Sequence, residues 1–428
     1  MQEDRRSFNY PLSLSLSLSL SPSLPLTPRA HHPVSFPHQH APILLLIHPL
    51  YLLGRSSQGR CRLAFLHILF YFGFVEFEEP FRLVSHLFPD KVGGRPAWLA
   101  LTHLPQNIKC AQCQHPMAFL LQLYSPLDER EDCFHRMLFV FMCKNGSCFL
   151  PSNSHNPPPF RVYRSQLPKN NQFYSSNPPS DLENLTEKVM IDILRSGRAP
   201  TAGVLVNLCP VCGCPGTKCC VICKKAYYCS KEHQIIHWKQ SHKTKCPQFD
   251  YLNEMFLSNC FLLPEFLLSS ATLDKDPEDS TSMGDDFEES DFELNADDDG
   301  EEFKALEEVA RKETREELYF NRFKEVLKKE PDQVIRFDRG GTPLWASPHP
   351  ITPPNCLKCG GKRTFEFQIT PQLLLHLKLD KVGEASPDFA SVYVFTCENS
   401  CPLGPSDKGD ENSSPNYVEE FVAFDTVP

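Results

Sequence analysis

Apolar and polar positions divide the chain into stretches of different period. From Ser13 to Ser21 leucine and serine alternate without exception, and a Pro/His-rich tract follows. Alternation with period two is a strand pattern. It is also what a translated CT dinucleotide repeat spells, so residues 1–72 are expected to be a low-complexity, disordered tail or a gene-model artefact. Two apolar runs, Ile43–Leu53 and Leu63–Val75, are each shorter than the roughly 18–20 residues that span a bilayer. His48, Pro49 and the stretch carrying Arg55, Arg60 and Arg62 break them up, and the first starts too far from Met1 for a signal peptide. Between 73 and 168, Phe139-Val140-Phe141 and Phe160–Tyr163 are aromatic and β-branched and read as short strands. Residues 169–208 form a polar linker with one weak helix, Leu185–Arg195. After residue 247 the chain turns acidic: Asp274–Glu302 holds fifteen Asp and Glu against one Lys, the composition of a solvated, disordered linker ending near 302. Phe303–Lys329 then places Leu306, Val309, Ala310, Phe320, Phe323 and Leu327 in a helical pattern, and Pro331 ends it, giving a helix over 303–330. The last stretch, 331–428, reads as β-rich again.

The blocks 73–168 and 331–428 repeat one another. Gly93-Gly94-Arg95-Pro96-Ala97-Trp98 matches Gly340-Gly341-Thr342-Pro343-Leu344-Trp345. Each is followed by a Cys-x-x-Cys, at Cys110/Cys113 and at Cys356/Cys359, then by a Phe (Phe119, Phe365) and a Gln (Gln122, Gln368) at matching distances. Val140-Phe141-Met142-Cys143-Lys144-Asn145 matches Val394-Phe395-Thr396-Cys397-Glu398-Asn399, with further cysteines at Cys148 and Cys401. A Gly pair allows positive φ or close backbone approach, Pro fixes an extended turn, and each Trp reads as a core anchor. The fold expected is α+β, mostly β: a duplicated antiparallel β domain whose halves pack on each other.

Cysteine chemistry changes this picture most. The chain of 428 residues, enough for two or three domains, carries 19 Cys. Paired spacing with His alternates points to zinc in a reducing compartment rather than to disulfides. Residues 209–246 hold four pairs: Cys209/Cys212, Cys220/Cys223, Cys229/His233 and His242/Cys246. Thiolate and imidazole are zinc ligands, and structural zinc takes four of them. Eight ligands make two sites, and a cross-brace is expected, with the first and third pairs on one ion and the second and fourth on the other. His237, one helical turn beyond His233, is the substitute ligand; Cys214 and Cys219 are surplus. Cys110, Cys113, Cys143 and Cys148, and likewise Cys356, Cys359, Cys397 and Cys401, have the residue types for one further four-Cys zinc site in each half. Buried thiols beside strands are the alternative.

The net charge is −10. The phosphate backbone repels such a protein, so direct nucleic-acid binding is not expected, whereas a basic protein is a plausible partner. Among enzyme signatures, no Ser/His/Asp arrangement, P-loop, dinucleotide fingerprint or SET-type methyltransferase core stands out. His135 beside Cys133 reads as packing, so no enzyme is expected.

Tyr227-Tyr-Cys-Ser-Lys-Glu-His-Gln-x-x-x-Trp-x-x-x-His-Lys-x-x-Cys246 resembles a MYND-type zinc finger, with His233 where that family usually has Cys. The whole series from Phe88-Pro-x-Lys-x-Gly-Gly-x-Pro-Ala-Trp-Leu99, through Phe134-His-Arg and Phe160-Arg-Val-Tyr-Arg-x-Gln-Leu-Pro168, to Pro371-Gln-Leu-Leu374 and Glu419-Glu-Phe-Val422 resembles the programmed cell death protein 2 family over residues 73–428. That resemblance implies a duplicated β-rich domain flanking a small, separate finger. It implies a dedicated chaperone for one basic small-subunit ribosomal protein, of the S-five family, acting in small-subunit biogenesis, in cytoplasm and nucleus. The finger resemblance implies a second reading: an adaptor in transcriptional regulation that binds proline-containing peptides on a groove, for which Tyr227, Gln234 and Trp238 stand at the matching positions. A ubiquitin ligase shares cross-braced zinc, but nothing marks a conjugating-enzyme surface.

Overall fold

The computed structural model describes residues 69–150, 157–177, 185–274, 314–379, 385–403 and 415–427. The Ser-Leu tail, the acidic run beyond Asp274 and the first part of the helix expected over 303–330 lie outside the described residues. Ten strands close into one antiparallel barrel: β1 (Leu69–Glu76), β2 (Lys91–Val92), β3 (Ala118–Tyr124), β4 (His135–Met142), β5 (Phe160–Leu167), β8 (Phe266–Asp274), β9 (Ile335–Phe337), β10 (Arg363–Ile369), β11 (Ser391–Cys397) and β12 (Val418–Asp425). β6 (Lys218–Cys219) and β7 (Tyr227–Tyr228) form a separate two-stranded sheet. Around the barrel the order is β1-β8-β2-β3-β4-β5-β12-β11-β10-β9, returning to β1.

Side-chain chemistry explains the strands. β4 reads His-Arg-Met-Leu-Phe-Val-Phe-Met and is buried at every position, because one face fills the barrel while the other is covered. β-branched and aromatic side chains suit such a doubly packed strand. Of the apolar run Leu63–Val75, the described part enters β1, and no helix among the described residues is long and apolar enough to cross a membrane.

The runs β2–β5 and β9–β12 are laid out alike. The pairing of β3 with β4 shifts register between Phe119 and Leu121, and that of β10 with β11 shifts between Phe365 and Phe367. Gly93 and Gly94 adopt φ of +67° and +65°, and a Cβ on Gly93 would lie 1.8 Å from the carbonyl oxygen of Pro264. Gly340 has φ of +82°. The side chain of Gln122 accepts from the amide of Ala97 at 2.9 Å, and that of Gln368 accepts from the amide of Leu344 at 2.7 Å. Each glutamine thus brackets the residue that precedes a tryptophan. The tryptophans differ: Trp98 is buried, whereas Trp345 is half-buried beside Tyr393.

The runs meet where β5 pairs with β12, but on the far side β1 and β8 stand between them. Residues 266–274, which composition assigned to the acidic linker 247–302, are therefore barrel wall, with Leu268 buried against the core. The linker 169–208 is also structured in part. The helix Glu187–Arg195 packs through Met190, Ile193 and Leu194 on Val84 and Leu252, and Tyr174 donates to the carbonyl of Leu99 at 2.7 Å. Of the expected helix 303–330, the described part is Arg315–Lys329, begun by a capping box from Thr314 to Glu317. Its Phe323 and Leu327 pack on Ala346 and Ala390.

Two buried charge clusters lie where strands of the two runs approach. The Glu366 carboxylate of β10 receives Arg136 of β4 at 2.7 and 2.9 Å, and also Arg339. Glu420 of β12 receives Arg164 of β5 at 2.7 Å and Arg363 at 3.3 Å. Buried charges survive only when paired and fully hydrogen-bonded, and Thr396 and Ser125 supply further bonds to Glu366.

Candidate metal centres

All four Cys-x-x-Cys pairs adopt one turn. The amide of the residue after the second cysteine donates back to the carbonyl of the first: Gln114 to Cys110, Gly213 to Cys209, Lys224 to Cys220 and Gly360 to Cys356, at 2.8 or 2.9 Å. Those four residues have φ between +56° and +72°. Glycine takes that conformation freely, whereas Gln114 and Lys224 hold it at a steric penalty. The turn points both sulfurs of a pair to the same side, where a second pair arrives.

In the finger, Cys209, Cys212, Cys229 and His233 converge, as do Cys220, Cys223, His242 and Cys246; within each group the ligand atoms lie within 4.8 Å of one another. This is a cross-brace, first pair with third and second with fourth. Cys212 and Cys229 sulfurs are 3.6 Å apart, Cys209 Sγ is 3.6 Å from His233 Nδ1, and Cys223 Sγ is 3.5 Å from His242 Nε2. The outer ring nitrogens, Nε2 of His233 and Nδ1 of His242, are buried with no hydrogen-bond partner among the described residues. In the first run Cys110, Cys113, Cys143 and Cys148 converge, and in the second Cys356, Cys359, Cys397 and Cys401. Sulfur separations there are 3.5 to 3.9 Å.

A tetrahedron with Zn–S of about 2.3 Å sets its sulfurs about 3.8 Å apart, and a disulfide would bring them to about 2.0 Å. These donor sets and separations fit zinc, and the described cysteines are free thiols. Burial pushes the Cys113 thiol up, but the His115 amide and the neighbouring Cys143, Cys110 and Cys148 thiols hold it at about 7, toward the thiolate that ligates metal. Cys214 and Cys219 stay outside the four groups.

His237 is not in either group. Its Nε2 lies 2.6 Å from Glu254, its Nδ1 lies 2.9 Å from the Tyr228 hydroxyl, and its ring stacks on His242 at 4.8 Å. This buried relay ties the finger to the segment that follows it. Its sequence signal was weak, because Glu254 lies beyond the finger in a stretch read as linker. Tyr227 lines a cleft of about 460 Å³ with Asn207, Lys225, Gln248 and Tyr251; Gln234 and Trp238 do not line that cleft. Both are half-buried, and Trp238 packs edge-on to His242.

The finger is not a separate module. The Trp98 indole donates to the Gly213 carbonyl at 2.9 Å, Arg95 donates to Pro210 at 3.0 Å and to Met255 and Leu257 at 2.8 and 2.9 Å, and Val211 joins the barrel core. The physical reason is the apolar tip of the first knuckle, Pro210-Val211, which a free finger would expose.

The domain "Programmed cell death protein 2, N-terminal domain" matches residues 70–181, "Programmed cell death protein 2, C-terminal putative domain" matches 317–426, and the MYND finger matches 209–246. Programmed cell death protein 2 of Mus musculus is 41% identical over 356 residues, covering 82% of this chain and 94% of the relative. The Bos taurus protein of the same name is 42% identical over 367 residues, with the same coverage. A programmed cell death protein 2-like protein of Mus musculus is 26% identical over 346 residues, covering 73% of this chain and 85% of its own length. No solved structure matches. With both flanking domains, the intervening finger and a relative spanned almost end to end, the chain belongs to the programmed cell death protein 2 family.

Proposed function

We propose that this protein is a zinc-stabilised chaperone for a basic small-subunit ribosomal protein of the S-five family, acting before that client joins the maturing subunit, in cytoplasm and nucleus. The observation that carries the reading is the placement of negative charge. Fifteen Asp and Glu stand in 274–302, directly after β8, so the most acidic stretch of the chain is tethered to the barrel wall. A free ribosomal protein is strongly basic, and an anionic segment joined in the chain to a rigid platform would shield it. The chain acts by binding and not by catalysis, and its zinc ions, two in the finger and one in each run, serve structure.

We propose also that β2–β5 and β9–β12 are two copies of one unit. The repeated Gly-Gly-x-Pro-x-Trp motif, the matching register shifts, the Gln122 and Gln368 brackets and the equivalent four-Cys clusters support this.

Affinity purification of the tagged chain with identification of its stoichiometric partner tests the client. Association is expected to slow as salt rises, since screening acts over roughly 8 Å at physiological ionic strength. Neutralising the acidic residues of Asp297–Glu302 is expected to lower the on-rate more than it raises the off-rate. Absence of any ribosomal protein, with unchanged small-subunit levels on depletion, overturns the reading. One observation favours a second role, the cleft beside Tyr227: an adaptor docking proline-containing peptides of transcriptional regulators. A variant lacking the finger's peptide contacts yet keeping the ribosomal client separates the two.

A further inference from the structure

The finger has two unlike ends. At the end built on Cys209, Cys212, Cys229 and His233, the knuckle tip Pro210-Val211 is buried on the barrel, with Val211 1% exposed. At the other end, built on Cys220, Cys223, His242 and Cys246, the corresponding tip is Val221-Ile222, and these side chains are 81% and 65% exposed. Both tips ride on the same turn, held by the amide of Lys224 in one and of Gly213 in the other. One tip therefore shows, within this molecule, what the arrangement does: it presents an aliphatic side chain rigidly to a neighbouring surface. The other has no such surface among the described residues.

Positive charge lies beside the zinc ligands of that free end. Residues 209–246 contain seven Lys, one Glu and neither Arg nor Asp. Three thiolates per zinc leave each site one negative charge, so the loaded finger stays clearly positive in a chain of net charge −10. Lys218, Lys224, Lys225, Lys243 and Lys245 lie within two residues of Cys220, Cys223, His242 or Cys246, and all five are exposed. None forms an ion pair with a carboxylate among the described residues. From this we infer that the free end of the finger is a docking site for an acidic peptide segment of another protein, its carboxylates meeting these lysines and an aliphatic side chain covering Val221 and Ile222. Exposed aliphatic side chains on a turn, with cations beside the same zinc ligands, suit such a segment, because apolar burial supplies affinity while charge steers approach. A single-stranded nucleic acid is the poorer match, since it is held by aromatic platforms on which bases stack, and this tip carries none. The inference is independent of the ribosomal client, whose charge is of the opposite sign.

The test uses the full-length, zinc-loaded protein and a short fluorescein-labelled synthetic peptide rich in glutamate with two leucines, read by anisotropy. Saturable binding that weakens as salt rises is expected. Lys224→Glu with Lys225→Glu is expected to weaken it at least about tenfold, and Val221→Ser with Ile222→Ser to weaken it at every salt concentration. Lys231→Glu, at the barrel-side zinc site, is expected to leave it unchanged. Zinc content measured on every variant verifies that the finger is intact. Binding unaffected by either double variant overturns the inference. So does preferential capture of a single-stranded oligonucleotide of equal charge, which makes the surface a nucleic-acid site. So does peptide binding that appears only after the acidic residues of 276–302 are neutralised, which makes the chain's own acidic run the occupant.

Discussion

Replacing Glu366 with glutamine should be among the most damaging single changes in the barrel. The carboxylate is fully buried between Arg136 and Arg339. Burial alone would push its pKa up, but the guanidinium of Arg136, then that of Arg339 and the Thr396 hydroxyl, hold it at about 2 against an ordinary 4.5. A depressed carboxylate pKa stabilises the fold above pH 4.5 and loses that contribution as pH falls through about 2. The gap corresponds to about 3 kcal/mol at neutral pH. Glu366→Gln also strands Arg136, whose side chain is 0% exposed, and breaking a buried pair in this way costs about 3–5 kcal/mol. Acid titration would mix this effect with zinc loss, because protonated thiols release metal. The assay is therefore urea unfolding of zinc-loaded protein at pH 7 in reducing buffer, followed by tryptophan fluorescence. At a slope of about 2–3 kcal/mol per molar urea, the midpoint should fall by about 1–2 M. Arg136→Met combined with Glu366→Leu should recover at least half of that, since Arg339 is 18% exposed and can turn to water. A Glu366→Gln midpoint within about 0.2 M of wild type, or a double variant as unstable as the single one, would refute the account.

Elemental analysis should find four zinc ions per chain in reducing buffer; fewer than two would sink the finger assignment, and Cys356→Ser should remove one while leaving the finger loaded. Trp98→Ala should destabilise the chain by about 3–5 kcal/mol and free the finger from the barrel, whereas Trp345→Ala, half-buried, should cost roughly half as much by thermal melting. Fragments 74–168 and 334–428 should be insoluble when expressed singly, because each exposes apolar faces and unpaired strand edges. Two fragments that melt cooperatively on their own would show that the barrel is not one unit.

The zinc groups were legible because ligand spacing is local: a Cys-x-x-Cys turn is written in four or five consecutive residues, and four such turns announce themselves. The β content and the repeated motifs were legible for the same reason, each being a short string of residues. What escaped was pairing over long distances. β1 and β8 close the barrel through contacts such as Phe72 with Ala271, and nothing in Phe266–Asp274 marks it as barrel wall beside an acidic run. Glu366 escaped differently, as did the role of Gln122, whose position the repeat marked but whose bond to Ala97 it did not explain. Each is a polar residue within an apolar strand, and its partner, Ala97 or Arg136, lies too far along the chain for a local pattern to show. The finger's docking also left no local trace, since it depends on Arg95 and Trp98 finding carbonyls more than a hundred residues away.

The seam between β5 and β12 sets an order of assembly. β5 ends at Leu167, and its partner starts at Val418. A ribosome adding about 5–20 residues per second needs tens of seconds to make the intervening chain. Throughout that interval the outer edge of β5, with Val162, Tyr163 and Arg164 awaiting Glu420, Glu419 and Val418, offers open backbone donors and acceptors to any passing strand. The finger is synthesised in that window and can seal the Trp98 face early, but it cannot pair the β5 edge. The chain thus passes through a vulnerable stage at birth, one that ends only when β12 emerges.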